Sequence, residues 1–352
     1  QADDYFNTVL YSGTNGTNNV SGVNFQPDWV WIKRRNDSGA FHAIHDSSRP
    51  TYAYLRTNGT NAENTDSGSD WFRSFDSDGF TVVHTSTSSG TTGQWNQSGG
   101  TFVGWNWKAN AGVTSTISAG SISSGVPSVA STVQANTDAG FSIVTLPSNG
   151  AQGNIVGHGL GKAPKMIITK SRASGAWYTY HYSAGADKYL ELNTTNGSGT
   201  STGIWGNTHP NENTFTIGNG SSSNNTGGAN DVLAYCFAEV EGYSKFGSFS
   251  GNSNADGAFV FVGFSIKFLL IKNTNATSAG ARWFIWDSTR EPNNPMGLEL
   301  ASDGADTEGS IDGNMQIDFL SNGFKARSNG YQNQATQIYM AFGETFKYAN
   351  AR

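Results

Sequence analysis

Apolar positions fall in short bursts separated by Gly, Asn, Ser and Asp, and three of the bursts are nearly continuous. These are Trp29-Val30-Trp31-Ile32-Lys33, Met166-Ile167-Ile168-Thr169-Lys170 and Phe268-Leu269-Leu270-Ile271-Lys272, each ending on lysine. An aromatic cluster follows each: Phe41 to Asp46, Trp177 to Tyr182, Trp283 to Asp287. Next comes a leucine, at Leu55, Leu190 and Leu298. A turn then leads into a phenylalanine, at Phe80, Phe215 and Phe324. Two large residues around a small one close the series: Trp105-Asn106-Trp107, Tyr235-Cys236-Phe237, Met340-Ala341-Phe342. Five landmarks in one order, three times, define an internal repeat, and a repeat decides the architecture before any other reading.

The bursts are rich in Val, Ile, Thr and aromatics and bounded by turn formers, which predicts strands. No long window shows a 3.6-residue apolar period, so helix is not expected. The fold class expected is all-β, with three tandem β-sandwich, jelly-roll-like modules. They run over 1–109, 140–242 and 243–352, with an extended connecting segment over 110–139. The opening strands are apolar on both sides, which predicts a sheet covered by another sheet or by a neighbouring module. In the closing strands, Gly104 and Asn106 alternate with Trp105 and Trp107. Period two puts the large residues on one face and leaves the other open to close packing. Cys236 is expected to be a small core residue in such a strand. Residues 110–139 carry Val113, Ile117, Ile122, Val126, Val129 and Val133, unlike a flexible Gly/Ser linker. Between the second and third modules there is almost no linker, so those two should be rigidly coupled.

Composition narrows the function. Of 352 residues only 14% are charged, and 21 Phe, 13 Tyr and 10 Trp argue against disorder. The formal net charge is −6 with no basic stripe, so nucleic acid is not an expected partner. No apolar run approaches the roughly 20 residues that span a bilayer, so membrane insertion is not expected. Gln1 opens no recognisable secretory leader. A single cysteine excludes an intramolecular disulfide framework.

Each candidate for chemistry has a structural reading that outweighs it. Gly157-His158-Gly159-Leu160-Gly161-Lys162 departs from a phosphate loop, with Val156 and Ala163 at required positions and a strand following. His42 and His45 lie three apart on a strand and point to opposite faces, so they do not converge on a metal. By position, His45 is matched to His181 and Trp286. Asp46-Ser47-Ser48-Arg49 and Asp287-Ser288-Thr289-Arg290 read as turns closed by an Asp–Arg pair. Asp76-Ser77-Asp78-Gly79 reads as a turn, since a strand follows where a calcium loop needs ligands. No catalytic residue, cofactor site or metal site is assigned. Trp71, Trp95 and Trp205 lie in loop-like segments outside the landmarks. They serve either as glycan or partner contacts or as loop anchors.

Several motifs carry a family resemblance. They are Phe25-Gln26-Pro27-Asp28-Trp29-Val30-Trp31-Ile32-Lys33, Ser74-Phe75-Asp76-Ser77-Asp78-Gly79-Phe80 and Val103-Gly104-Trp105-Asn106-Trp107-Lys108-Ala109. The second module adds His158-Gly159-Leu160-Gly161-Lys162-Ala163-Pro164 and the run from Tyr235 to Tyr243, and the end adds Phe346 to Arg352. The pattern resembles the β-rich repeat domains of tail-fibre-like and other virion proteins of tailed bacteriophages, especially marine ones infecting cyanobacteria. The resemblance implies a non-enzymatic virion structural or adhesive protein: tail-fibre-like, a capsid decoration or a filament subunit. Its location would be a virion or the extracellular space. Its expected partners are copies of itself, other virion proteins and a host-surface glycan. The alternative is a secreted carbohydrate-binding protein or polysaccharide depolymerase. Both chain ends are expected to be held in place, with 110–139 as the element that bridges to a partner subunit.

Overall fold

A computed structural model describes residues 1–65, 70–85, 93–218, 231–275, 281–311 and 314–344. The first group of strands is β1 (Phe6–Ser12), β2 (Gly16–Ser21), β3 (Trp29–Arg34), β4 (His42–Asp46), β5 (Leu55–Arg56), β6 (Asp70–Asp76), β7 (Gly79–His84) and β8 (Thr101–Trp107). The second group opens with β9 (Ser115–Ile117), β10 (Ser131–Asn136), β11 (Phe141–Leu146), β12 (Asn154–Gly157) and β13 (Pro164–Ser171). It continues with β14 (Tyr178–His181), β15 (Lys188–Glu191), β16 (Gly199–Thr200), the one-turn helix α1 (Thr202–Trp205), β17 (Thr214–Ile217) and β18 (Val232–Ala238). The third group is β19 (Ser244–Ser250), β20 (Phe259–Phe261), β21 (Ile266–Asn273), β22 (Trp283–Asp287), β23 (Leu300–Ala301), β24 (Ile317–Leu320), β25 (Gly323–Ala326) and β26 (Thr336–Gly343). The protein is all-β and antiparallel, as the burst pattern predicts. The motif from Phe346 to Arg352, and with it the expectation of a held C-terminal end, lies outside the described residues.

One strand order recurs. The large sheets run β1-β8-β3-β4-β5 and β19-β26-β21-β22-β23, and the eight-stranded sheet contains β11-β18-β13-β14-β15. A smaller sheet accompanies each: β2-β7-β6, β12-β17 and β20-β25-β24. The first, eighth and third strands pair as in a jelly roll, as do the second and seventh. The fourth and fifth strands stay on the large sheet instead of crossing to the small one.

Two kinds of core follow from the period-two alternation. Between each large sheet and its small sheet lies an outer core; in the first group Val30, Ile32, Phe80 and Phe102 fill it. The opposite faces of all three large sheets meet in one shared inner core. Trp29, Trp31, Trp105, Trp107, Tyr235, Phe237, Phe268 and Phe342 all belong to it. This explains why the opening strands are apolar on both sides: each side faces a different core. It also explains the small residues of the closing strands. A Cβ added to Gly104 would sit 3.0 Å from the Phe80 ring. Ala234 takes the place of Gly104 in β18, and Cys236, opposite Ile167 as Asn106 is opposite Val30, is fully buried.

At the centre three equivalent residues, the last large residue of each closing strand, touch one another. The ring centroids lie 6.5 Å apart for Trp107–Phe237, 6.2 Å for Phe237–Phe342 and 5.6 Å for Trp107–Phe342. The N-terminal strand joins them, with Phe6 stacked on Phe342 at 5.2 Å.

Residues 110–139 are tied down within the chain. β9 and β10 extend the large sheet beyond β11. Asp28, buried, accepts from the backbone N–H of Ala109, Ala111 and Gly112. Gln134 accepts from Asn110 N and Gly112 N and donates to Ser47 and Ser48. The middle of the segment lies along β12, with Val129 in a parallel bridge to Val156. Within the chain this segment therefore joins the first group to the second.

Two outcomes are expected. Phe237→Ala removes a ring from the central contact and should cost about 3–5 kcal/mol in denaturant unfolding; a loss below about 1 kcal/mol contradicts the shared core. Cys236, whose thiol burial holds well above its usual range, should react with a thiol reagent only on unfolding. Rapid labelling of the native protein would show the strand is accessible.

Candidate functional site

Buried polar side chains meet across the junctions between the three groups. The fourth strand of each group ends on Asp46, His181 or Asp287, opposite Trp29, Met166 and Phe268. This register corrects the match of His181 to His45: Tyr180 is the residue equivalent to His45. Each terminal residue reaches a closing strand of another group. Tyr235 donates its hydroxyl to Asp46 Oδ2 at 2.7 Å, and Trp105 Nε1 donates to Asp287 Oδ2 at 3.0 Å. Met340 at the third place has no such donor, and there His181 Nε2 donates to the carbonyl of Tyr339 at 3.1 Å. Its Nδ1 accepts from Ser183 N, which fixes this tautomer.

A second ring of contacts runs beside the first. Trp177 Nε1 donates to the Arg56 carbonyl at 2.7 Å and Trp283 Nε1 to the Glu191 carbonyl at 2.9 Å. His42, at the equivalent place, faces the Ala301 carbonyl without meeting strict hydrogen-bond geometry. Its Nδ1 accepts from Trp31 Nε1 at 2.9 Å, towards the inner core. His45 points the other way and accepts from Trp95 Nε1. The two histidines thus diverge as strand periodicity requires. Among the described residues no group of His, Cys, Asp or Glu is arranged to hold a metal.

The three landmark lysines are buried and held by backbone carbonyls. Lys33 Nζ donates to Arg34 O, Asp37 O and, across the junction, Ala305 O. Lys170 donates to Ser171 O and Ala173 O, and Lys272 to Ala281 O. Burial lowers them to about 8, about 8 and about 7. Such values suit a nucleophile, but full burial denies a substrate access, and the carbonyl contacts pin the loop after each opening strand.

The outermost layer of each junction breaks the threefold pattern. Between the first and second groups Arg49 and Arg172 each contact Glu63 at 2.7 Å. Burial pushes the Glu63 carboxyl up, but hydrogen bonds and charge from Arg172 and Arg49 outweigh it and hold it below its usual range. Between the third and first groups Arg35 meets Glu308 at 2.7 Å, with Arg290 at 3.6 Å. The backbone fixes the correspondence: Glu63 N donates to Arg172 O, Glu308 N to Arg35 O, and Ser198 N to Thr274 O. Between the second and third groups Ala184, Ser198 and Thr274 therefore replace Arg, Glu and Arg.

Where that bridge is missing a cleft opens, with a volume of about 280 Å³. Tyr189, Glu191, Asn196, Ser198, Thr274 and Asn275 line it. The Tyr189 ring lies against Gly199, where any Cβ would collide with it. Glu191 accepts from Thr194 Oγ1 at 3.3 Å and weakly from Asn196 Nδ2 at 3.5 Å. Ser198 Oγ donates to Thr274 O, and Thr274 Oγ1 to Asn275 Oδ1. The described lining offers one ring, one carboxylate, amides and hydroxyls. Such groups can cover an apolar face and hydrogen-bond hydroxyls, whereas glycoside cleavage needs a second carboxylate facing the first.

The tryptophans singled out in the sequence are placed elsewhere. Trp95 and Trp205 are 2% and 1% exposed, so both serve as anchors and neither can stack on a sugar. Trp71 is half-exposed on β6, an edge strand. Asp76 and Asp78 sit in the β6–β7 turn with their oxygens taken, Asp76 by Ser74 and Thr81, Asp78 by Gly22 N and Asn24 N. His158 is buried, accepting from Leu160 N and meeting Asn211 O, which makes its glycine-rich segment a turn before β13. None of the cleft residues was picked out by the sequence reading. The signal that finds them is the loss of Arg and Glu at one repeat out of three.

Two outcomes follow. Glu63→Gln takes the shared anion from Arg172, which is part-exposed, and from Arg49, which keeps Asp46, and should cost about 1–3 kcal/mol; an unchanged stability contradicts the bridge. Burial lowers His45 to about 3, and His158 and His181 to about 4. Between about pH 4 and 6.5 the unfolded chain then binds more protons than the folded one, so stability should fall as pH drops through that window. A melting temperature unchanged between pH 7 and 4.5 contradicts their burial.

A search of curated proteins and of solved structures finds no match to this chain. One family profile, described as a domain of unknown function (DUF7483), matches residues 1–345 and so runs across all three strand groups and the junctions between them. The chain belongs to this family, DUF7483.

Proposed function

We propose that this protein is a non-enzymatic structural and adhesive component of a virion or extracellular filament, and that the junction cleft contacts a surface glycan. The repeated framework motifs, which resemble those of tailed-phage fibre-like proteins, support the virion half of this reading. The cleft supports the adhesive half. It is the one junction where an ionic bridge has been replaced by hydroxyl and amide groups beside a tyrosine ring. An aromatic ring accepts the apolar face of a sugar, while Glu191, Asn196 and Asn275 offer partners to its hydroxyls. A volume of about 280 Å³ lies near the lower end of small-molecule pockets, about 300–1,000 Å³, and suits a single saccharide unit. Trp71 on its edge strand is a second proposed contact. Assembly would proceed through sheet edges and faces, with copies of the same chain and other virion proteins as partners. A secreted carbohydrate-binding protein is the second reading, supported by the same cleft. Purified native material separates the two: particle-bound or polymeric protein favours the first, free monomers the second.

The test is a glycan array with three proteins. Wild type should bind a defined set of saccharides. Glu191→Gln should weaken binding by about tenfold, the value of one charge-assisted hydrogen bond. The pair Ser198→Glu and Thr274→Arg rebuilds the bridge found at the other junctions and should abolish binding without loss of stability. No binding by wild type, or equal binding by all three, would overturn the cleft as an adhesive site.

A further inference from the structure

We propose that β20 is the edge through which two copies of this chain pair, antiparallel and about a twofold axis. This rests on the assembly half of the reading above. The argument comes from comparing one strand at its three occurrences. β2, β12 and β20 are edge strands of the small sheets, with Val20, Val156 and Val260 opposite Phe80, Phe215 and Phe324. The residues on either side of that valine point outward with both side chain and backbone groups.

In the first group those residues are Asn19 and Ser21, polar and exposed. In the second they are Ile155 and Gly157, and the chain covers them itself. Ser128 N donates to the Ile155 carbonyl at 2.9 Å, Ser128 Oγ accepts from Ile155 N, and Ser131 Oγ donates to the Gly157 carbonyl. Ile117 lies where a Gly157 side chain would be. In the third group they are Phe259 and Phe261, 50% and 65% exposed. Ala326 N donates to Ala258 O and Val262 N to Asn322 O, so the ladder to β25 uses the alternate residues. The outward backbone groups of Phe259 and Phe261 have no partner among the described residues.

An open edge flanked by two exposed phenylalanines is the arrangement that natural sheets avoid unless it is used. It is also self-complementary. With Val260 on the twofold axis, Phe259 of one copy stands opposite Phe261 of the other; their outward backbone groups make these the hydrogen-bonded pairs of the ladder, each exchanging both backbone bonds, with the Val260 pair between them not hydrogen-bonded. The two small sheets become one continuous sheet, and the phenylalanine rings of both copies gather on one face. No charged side chain belongs to β20, so pairing buries no unpaired charge.

Sedimentation equilibrium on the whole chain, from micromolar to near-millimolar concentration, tests this. Wild type should form a dimer with a Kd on the order of tens to hundreds of micromolar. Phe259→Asn with Phe261→Ser installs the residues of the first group and should weaken the dimer at least about tenfold, with melting temperature unchanged. In wild type the Phe259 and Phe261 amides should gain hydrogen-exchange protection as concentration rises. A double variant that dimerises as tightly as wild type overturns this interface and leaves self-assembly standing. A wild type that stays monomeric throughout overturns the interface and the self-assembly reading with it.

Discussion

The mutual contact of Trp107, Phe237 and Phe342 is the constraint on which the other features depend. Three equivalent large residues can meet at one point only if the three large sheets turn the same face inward. That orientation decides which side of every strand is crowded. At their ends the closing strands carry Trp, Tyr, Met and Phe towards the centre, with Asn106, Cys236 or Ala341 between them turned away from it. Aromatic pairs at these separations add about 0.5–1.5 kcal/mol each beyond the area they bury. The larger effect is geometric, because a close-packed interior fixes each sheet against the other two.

With the sheets so placed, polar groups near the centre must be satisfied across the junctions. Asp46 accepts from a tyrosine hydroxyl, Asp287 from an indole N–H, and His181 donates its Nε2–H to a carbonyl. The residue types differ because the residues they face differ, while the positions do not. The same holds further out, where two junctions carry Arg–Glu–Arg and the third carries Ala, Ser and Thr. Buried ion pairs add little net stability against apolar replacements but cost heavily when one partner is lost. A junction freed of them can therefore vary, and this one has become a cleft.

Much of the fold was legible in the sequence. The lysine-terminated bursts mark the third strand of each large sheet, and period two in the closing strands separates the inner from the outer core. The Asp46–Arg49 and Asp287–Arg290 turns form the ion pairs their spacing suggests. The direction in which the sheets face was not legible, because a strand apolar on both sides does not say which cover is a neighbour. The one-residue offset of His181 arose from matching residue type; strand pairing resolves it. For Trp95 and Trp205, which lie outside the repeated landmarks, the sequence left surface contact and loop anchor equally open; burial decides for the anchor. The cleft was hidden because its signal is the absence of charge at one repeat, visible only once the junctions are superposed.

One shared core makes a definite thermodynamic demand: the three strand groups must unfold together. Differential scanning calorimetry measures this directly through the ratio of van't Hoff to calorimetric enthalpy. The account predicts a single transition with a ratio near one. Three separable transitions, or a ratio near one third, would show that the groups fold as independent modules and that the aromatic contact at the centre does not hold them together.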